Sequence, residues 1–150
     1  MKEKVEEIMT GNVITVKEND SLLHVAAVFK AHKIAGAPVV NEREEVVGVI
    51  SEFDMLTQLD NFRWLTPVFT ALDVLHLRDD KRREVEHVSE MNVKEVMTRN
   101  PKTVLPDTLI DDAAQIMHST GFNRLPVVDE AGKLVGIVAR ADIIASLYER

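Results

Sequence analysis

The chain contains no cysteine, so it offers no disulfide framework, thiolate nucleophile or thiolate metal ligand, and a reducing, cytoplasmic setting is expected. Aromatic residues are scarce: one tryptophan, one tyrosine and five phenylalanines in 150 residues, with no basic face on which they interleave. Since the net charge of −7 also repels phosphate polymers, binding of DNA or RNA is not expected. Long apolar runs are missing too. Aliphatic stretches such as Val46 to Ile50 fall far short of the roughly 20 residues that cross a bilayer, and the N-terminus MKEKVEEIMT is too polar for a signal peptide, so no membrane association is expected. G-x-S-x-G, H-E-x-x-H, G-x-x-x-x-G-K-S/T and G-x-G-x-x-G are all absent, and the chain is not expected to be an enzyme. His24, His32, His76, His87 and His118 show no i, i+4 histidine pair and no clear carboxylate partner set, so neither a metal site nor a resident cofactor is expected.

What the chain does contain is a duplication. A shift of 88 residues lays Met9-Thr10, Thr15-Val16, Pro38-Val39-Val40, Val47-Gly48 and Asp54 onto Met97-Thr98, Thr103-Val104, Pro126-Val127-Val128, Val135-Gly136 and Asp142. One copy of about 55 residues would bury only about 60% of its unfolded surface, so the two copies are expected to share one core. In the first, Val13 to Val16 is a β-branched run and Asp20-Ser21 supplies an N-cap for a helix bearing Leu22, Val25, Ala26 and Phe29 on one face. Ile34 to Pro38 ends that helix, Val39-Val40 and Val46 to Ile50 read as strands around the polar turn Asn41 to Glu45, and a second helix runs from Asp54 to Leu59.

The second copy repeats the order. Thr103-Val104 is followed by a cap at Asp107-Thr108, a helix carrying Leu109, Ala113, Ile116 and Met117, strands at Pro126 to Val128 and Leu134 to Val138, and a helix from Asp142 to Leu147. This alignment needs one residue added in Lys17 to Asp20 and one removed near His32-Lys33. The expected fold class is α+β: two β-α-β-β-α repeats, 5–59 and 93–147, packed about a pseudo-twofold axis in a single module spanning 1–150. Between them, 60–92 is read as a helical insertion, with helices around Pro67 to Leu77 and Asp79 to Ser89, because Phe62, Trp64, Leu65, Val68 and Phe69 are too apolar to leave in water.

The segment with chemical potential is Gly48 to Asp54, matched by Gly136 to Asp142. There a strand delivers the chain into a helix start, where backbone N–H groups and a hydroxyl suit a phosphate and a carboxylate one turn on suits a pair of ribose hydroxyls. Serine and aspartate are equally the favoured capping residues at such a position, so one match alone would signify capping.

The full ordered pattern, V-x-x-x-M-T, T-V, a pre-helical D-S/T-L, P-V-V, V-G-V/I and the terminal aspartate, occurs twice, and it closely resembles the cystathionine-β-synthase (CBS) domain in its tandem arrangement. That resemblance implies a non-catalytic regulatory sensor whose clefts take AMP, ADP, ATP or S-adenosylmethionine, with two pairs stacked as a homodimer. A stand-alone pair would act in trans on an unknown target protein. The implied sites are composite. The preferred one joins Val49, Ser51, Phe53 and Asp54 to Lys102, Thr103, Phe122, Asn123 and Arg124; a weaker one joins Val138, Arg140 and Asp142 to Ile14, Thr15, Ala35, Gly36 and Ala37. The second lacks the hydroxyl, replaced by Ala139, and has Gly36 where the first has Arg124, so unequal occupancy is expected. The competing reading is a ligand-independent interaction scaffold that dimerises and docks through Phe62 to Leu77.

Overall fold

The computed structural model describes residues 3–58 and 86–148. The apolar segment Phe62 to Leu77 and most of the insertion expected over 60–92 lie outside the described residues, as do His76 and Leu59. The part of the insertion that is described begins with a helical stretch over 86–90, in which Val88 and Ser89 are buried.

The chain forms two compact units, and they do not coincide with the two sequence repeats. One comprises residues 15–39, 47–58 and 86–99. Its elements are β1 (Val16–Lys17), α1 (Leu22–His32), β2 (Gly36–Val40), β3 (Val46–Ser51), α2 (Glu52–Leu56), α3 (Val93–Val96) and β4 (Thr98–Arg99). The strands lie in the order β1-β2-β3-β4, with β4 antiparallel to β3 so that Gly48 faces Arg99 and Val49 faces Thr98. The lead segment of the second repeat thus closes the sheet built from the first, and Val93 and Met97 join Leu22, Val25, Phe29, Val39 and Ile50 in one buried cluster.

The other unit, residues 3–14, 40–46 and 100–148, mirrors this exchange. A 3-10 turn (Val5–Glu7) is followed by α4 (Ile110–Thr120), β5 (Arg124–Val128), β6 (Leu134–Ala139) and α5 (Arg140–Leu147). β5 and β6 pair antiparallel, Val104 bridges in parallel to Val127, and Thr10 bridges antiparallel to Ile137. Strand for strand this is the arrangement of the first unit, with Val104 in the place of β1 and Thr10 in that of β4. Val5, fully buried, joins Val104, Ile110, Met117, Leu125 and Val138 in a second cluster, against which Ile8 and Met9 pack.

The expectation of one shared core is therefore corrected: among the described residues there are two clusters, one in each unit. A copy too small to bury enough apolar surface alone completes its core with the V-x-x-x-M-T segment of the other copy. The alignment is corrected as well. α1 and α4 are both 11 residues long and keep the 88-residue shift throughout, so Leu22 matches Ile110, not Leu109. Leu109 is the N-cap of α4 in extended backbone and stands 48% exposed, whereas Thr108 binds the Leu105 N–H and caps nothing. Ser21, by contrast, accepts the His24 N–H at 3.1 Å as a true cap. The strand expected over Val13 to Val16 contracts to Val16–Lys17, Pro38 lies inside β2, and α2 and α5 begin two residues before their aspartates.

The hairpin turns are the same device used twice. Asn41 Oδ1 accepts the N–H groups of Arg43 and Glu45, and Asp129 Oδ1 those of Ala131 and Lys133. Each turn needs a left-handed residue: Gly132 (φ 84) in one and Glu44 (φ 63) in the other. The tip 40–46 then pairs along the second turn, the Val46 N–H donating to Gly132 O (3.2 Å) and the Leu134 N–H to Glu44 O (3.1 Å).

Close approach explains Gly48 and Gly136. A Cβ at Gly48 would stand 2.6 Å from Met97 Sδ and 2.8 Å from Thr98 O; at Gly136, 2.5 Å from Met9 Sδ and 3.0 Å from Thr10 O. Each alanine substitution is expected to destabilise by about 1–3 kcal/mol through overpacking. Gly48→Ala should cost more, because the nearer backbone oxygen at Thr98 cannot swing away as a thioether can. Urea unfolding of both variants, and of Gly136→Ala combined with Met9→Ala, checks this; the double variant should lose less than the sum of the singles.

Candidate functional site

The sequence directs attention to the two corners where a strand enters a helix. In the first, β3 ends at Ser51, extended at φ −127 and ψ 165, and α2 begins at Glu52. Ser51 Oγ accepts the Asp54 N–H (3.2 Å) while Asp54 Oδ2 accepts the Ser51 N–H (2.9 Å), a reciprocal capping box. The Glu52 N–H donates to Ala35 O at 3.0 Å, which ties the loop before β2 to this corner. Phe53 points outward, 65% exposed, beside a half-buried Asp54.

The second corner keeps half of that arrangement. Asp142 Oδ2 accepts the Ala139 N–H at 2.8 Å, but Ala139 has no hydroxyl to return the bond. The Arg140 N–H donates to Asn123 O (2.8 Å), the exact counterpart of the Glu52 to Ala35 bond, and Arg124 lies opposite Ala139 across the β5–β6 pair. In both corners one carboxylate oxygen is used internally. Among the described residues no protein donor occupies Oδ1 of Asp54 or of Asp142, so each aspartate is held in a fixed pose with an acceptor to spare.

Within units, then, the structure brings Ala35 to Ser51, Glu52 and Asp54, and brings Asn123 and Arg124 to Ala139, Arg140 and Asp142. Val49 and Val138 lie in the strands that lead into the corners, Val138 fully buried and Val49 half-buried. Gly36 and Ala37 open β2; Lys102, Thr103 and Phe122 are exposed in the second unit, where Ile14 also falls, and Thr15 is half-buried in the first. The composite sets expected from the sequence draw on residues of both units.

Sequence reasoning missed two features. A hollow of about 250 Å³ in the second unit is lined by Ala114, Met117, His118, Arg140 and Ile143. The i, i+3, i+4 spacing of Ala114, Met117 and His118 was the available signal. The other is Glu52, whose carboxyl is pushed above its ordinary value of 4.5 by burial. A minor correction concerns His24, which does have a carboxylate at i−4: Asp20 Oδ2 lies 3.8 Å from its Nε2. No group of three potential metal ligands occurs among the described residues, and no helix there is long and apolar enough to cross a membrane.

Comparison with known proteins gives these corners a context. A family model described as "CBS domain" matches residues 5–61 and again 93–149. The uncharacterized protein MJ1426 of Methanocaldococcus jannaschii is 34% identical over 95% of this chain and 90% of its own length. The crystal structure of CBSX2 from Arabidopsis thaliana covers 99% of this chain and 96% of its own at a TM-score of 0.79 and 27% identity. A second CBSX2 structure, in complex with AMP, gives a TM-score of 0.74 at 29% identity, covering 99% and 98%.

Two outcomes follow from the corners. Ser51→Ala should cost about 1 kcal/mol, the usual worth of a hydroxyl cap, and Ala139→Ser should gain a similar amount by restoring the box around Asp142; denaturant midpoints read both. For Glu52 the raised pKa means that the folded state holds its proton more tightly than the unfolded chain does. Its contribution therefore declines as pH climbs from 4.5 through the raised value, where a half-buried charge must form. Glu52→Gln should be more stable than the parent at pH 7, with the difference vanishing below pH 4.5, as followed by thermal unfolding across that range.

Proposed function

Because the chain belongs to the CBS-domain family, as two domains in tandem, we propose that it is a regulatory module that binds an adenine-containing ligand and transmits its occupancy to a separate target protein. The observation that carries this reading is the pose of Asp54: one carboxylate oxygen is fixed by the Ser51 N–H, and the other is left as an acceptor for paired hydroxyls such as those of a ribose. Support comes also from relatives. CBSX2 has been crystallised in complex with AMP. The CBS domain pair of MJ0100 has been crystallised with 5′-methylthioadenosine and S-adenosyl-L-methionine; it is 25% identical, with a TM-score of 0.69 over 97% of this chain and 95% of its own.

Among such ligands AMP, ADP or ATP is favoured over S-adenosylmethionine, because Arg124 is an exposed guanidinium at the start of β5 and phosphate is its best partner. The proposed contact set is Val49, Ser51, Phe53 and Asp54 with Lys102, Thr103, Phe122, Asn123 and Arg124. The set around Val138, Arg140 and Asp142, with Ile14, Thr15, Ala35, Gly36 and Ala37, binds more weakly, since Ala139 lacks the hydroxyl. The module is not catalytic; it dimerises, and the ligand acts by favouring whichever conformation it binds better.

The test is thermal unfolding with AMP, ADP, ATP, S-adenosylmethionine or NAD at millimolar concentration. A ligand present at about 100 times its dissociation constant should stabilise by about 2.7 kcal/mol, a rise of several degrees. Asp54→Ala, compared by its ligand-induced rise so that the lost cap cancels, should abolish the response, and Arg124→Ala should weaken nucleotides while sparing S-adenosylmethionine. No rise with any adenine ligand, on protein stripped of nucleotide, would instead point to the scaffold.

A further inference from the structure

Six methionines are present and no cysteine, so in this chain the thioether is the side chain that a peroxide oxidises and a reductase restores. Of the five in the described residues, Met55, Met117 and Met97 are buried, at 1%, 3% and 7% exposure. Met9 and Met91 are half-buried. Only Met9 of these two lies against a strand glycine with no space to spare, where even a methyl group on Gly136 would meet its sulfur at 2.5 Å.

The segment that carries Met9 is held at two places. Its start is bound by the Val5 N–H to Thr108 O, the Glu6 N–H to Pro106 O and the Ile110 N–H to Glu3 O, all 2.8–2.9 Å, with Val5 fully buried. Its end is bound by Thr10 and Ile137, which exchange N–H donors at 2.9 and 3.0 Å directly beside the Met9–Gly136 contact. The second attachment therefore adjoins the closely packed thioether, whereas the first lies away from it.

We propose that Met9 is a modification site, at which oxidation to the sulfoxide by a hydroperoxide unlatches the Thr10 strand from Ile137. The sulfur attacks the terminal oxygen of the hydroperoxide; an S–O bond forms as the O–O bond breaks, the thioether loses two electrons to the peroxide, and the departing alkoxide takes the proton of the transferred hydroxyl to leave as an alcohol, or as water when the oxidant is hydrogen peroxide. The added oxygen is polar and has no room between Met9 and Gly136. The strand end lifts, and the segment remains anchored through Val5.

Hydrogen peroxide titration of the whole protein, read by peptide mass spectrometry and amide hydrogen exchange, tests this. Met9 should oxidise before Met97, and the Thr10 and Ile137 amides should then exchange about tenfold faster while those of Val5 and Glu6 change little. Methionine sulfoxide reductase should reverse the effect. Met9→Leu, close in volume, should fold and make exchange indifferent to peroxide, whereas Met91→Leu should respond as the parent does. If Met9→Leu does not fold, reversal by the reductase on the parent protein decides. Full Met9 sulfoxide with Thr10 and Ile137 still protected overturns the proposal, and so does Met9 staying reduced until Met55 and Met117 oxidise.

Discussion

The edge of each small sheet must be closed by a strand that its own repeat does not supply. In one unit Thr98 and Arg99 lie along Gly48 and Val49; in the other Thr10 lies against Ile137. This pairing brings Val93 and Met97 into one core and Val5 into the other, and it satisfies backbone groups that an open edge would expose. The two glycines are a condition of the same contact, since a side chain at either would push the incoming Met-Thr segment away. The rest of each unit, a helix over a hairpin and a helix leaving it, is assembled on that closed sheet.

Duplication has preserved the scaffold of the two corners while letting their chemistry drift. The bond from the first helical N–H to the loop before the middle strand is kept in both, at 3.0 Å in one and 2.8 Å in the other, and so is the aspartate that caps the corner. What differs is what a ligand would meet: Ser51 against Ala139, Phe53 against Ala141, Glu52 against Arg140. A pair of related sites on one frame can thus hold different affinities without any change of fold. On the sensor reading proposed above, such a difference would let one position report on a ligand at concentrations where the other is still empty.

Much of this was legible in the sequence, and the boundary of what was legible has a physical basis. Local signals read correctly: the hairpin strands, the polar turn over Asn41 to Glu45, the Ser21 cap and the strand-to-helix corners rest on residues a few positions apart. The partner of each sheet edge did not read, because a two-residue strand such as Thr98–Arg99 has no periodicity and is defined by what it pairs with. Asp107-Thr108 misled for the opposite reason: it resembles a cap, yet the buried stripe of Ile110, Ala113 and Met117 sets the helix start beyond it. At the candidate site the aspartates and Ser51 were visible, whereas the burial of Glu52 and the hollow beside Arg140 depend on tertiary neighbours that spacing alone does not reveal.

The exchange of lead segments also bears on how the chain is made. Thr10 leaves the ribosome long before its partner Ile137, and the first hairpin waits for Thr98 before its sheet is closed. Contacts this distant in sequence raise the contact order of a small protein and slow its folding. Until Ile137 has been made the Thr10 strand is an unpaired edge next to apolar residues, the condition in which nascent chains aggregate or swap segments with a neighbour. The charged side chains of Glu3, Lys4, Glu6 and Glu7 around the buried Val5 favour water for that waiting strand until its place exists.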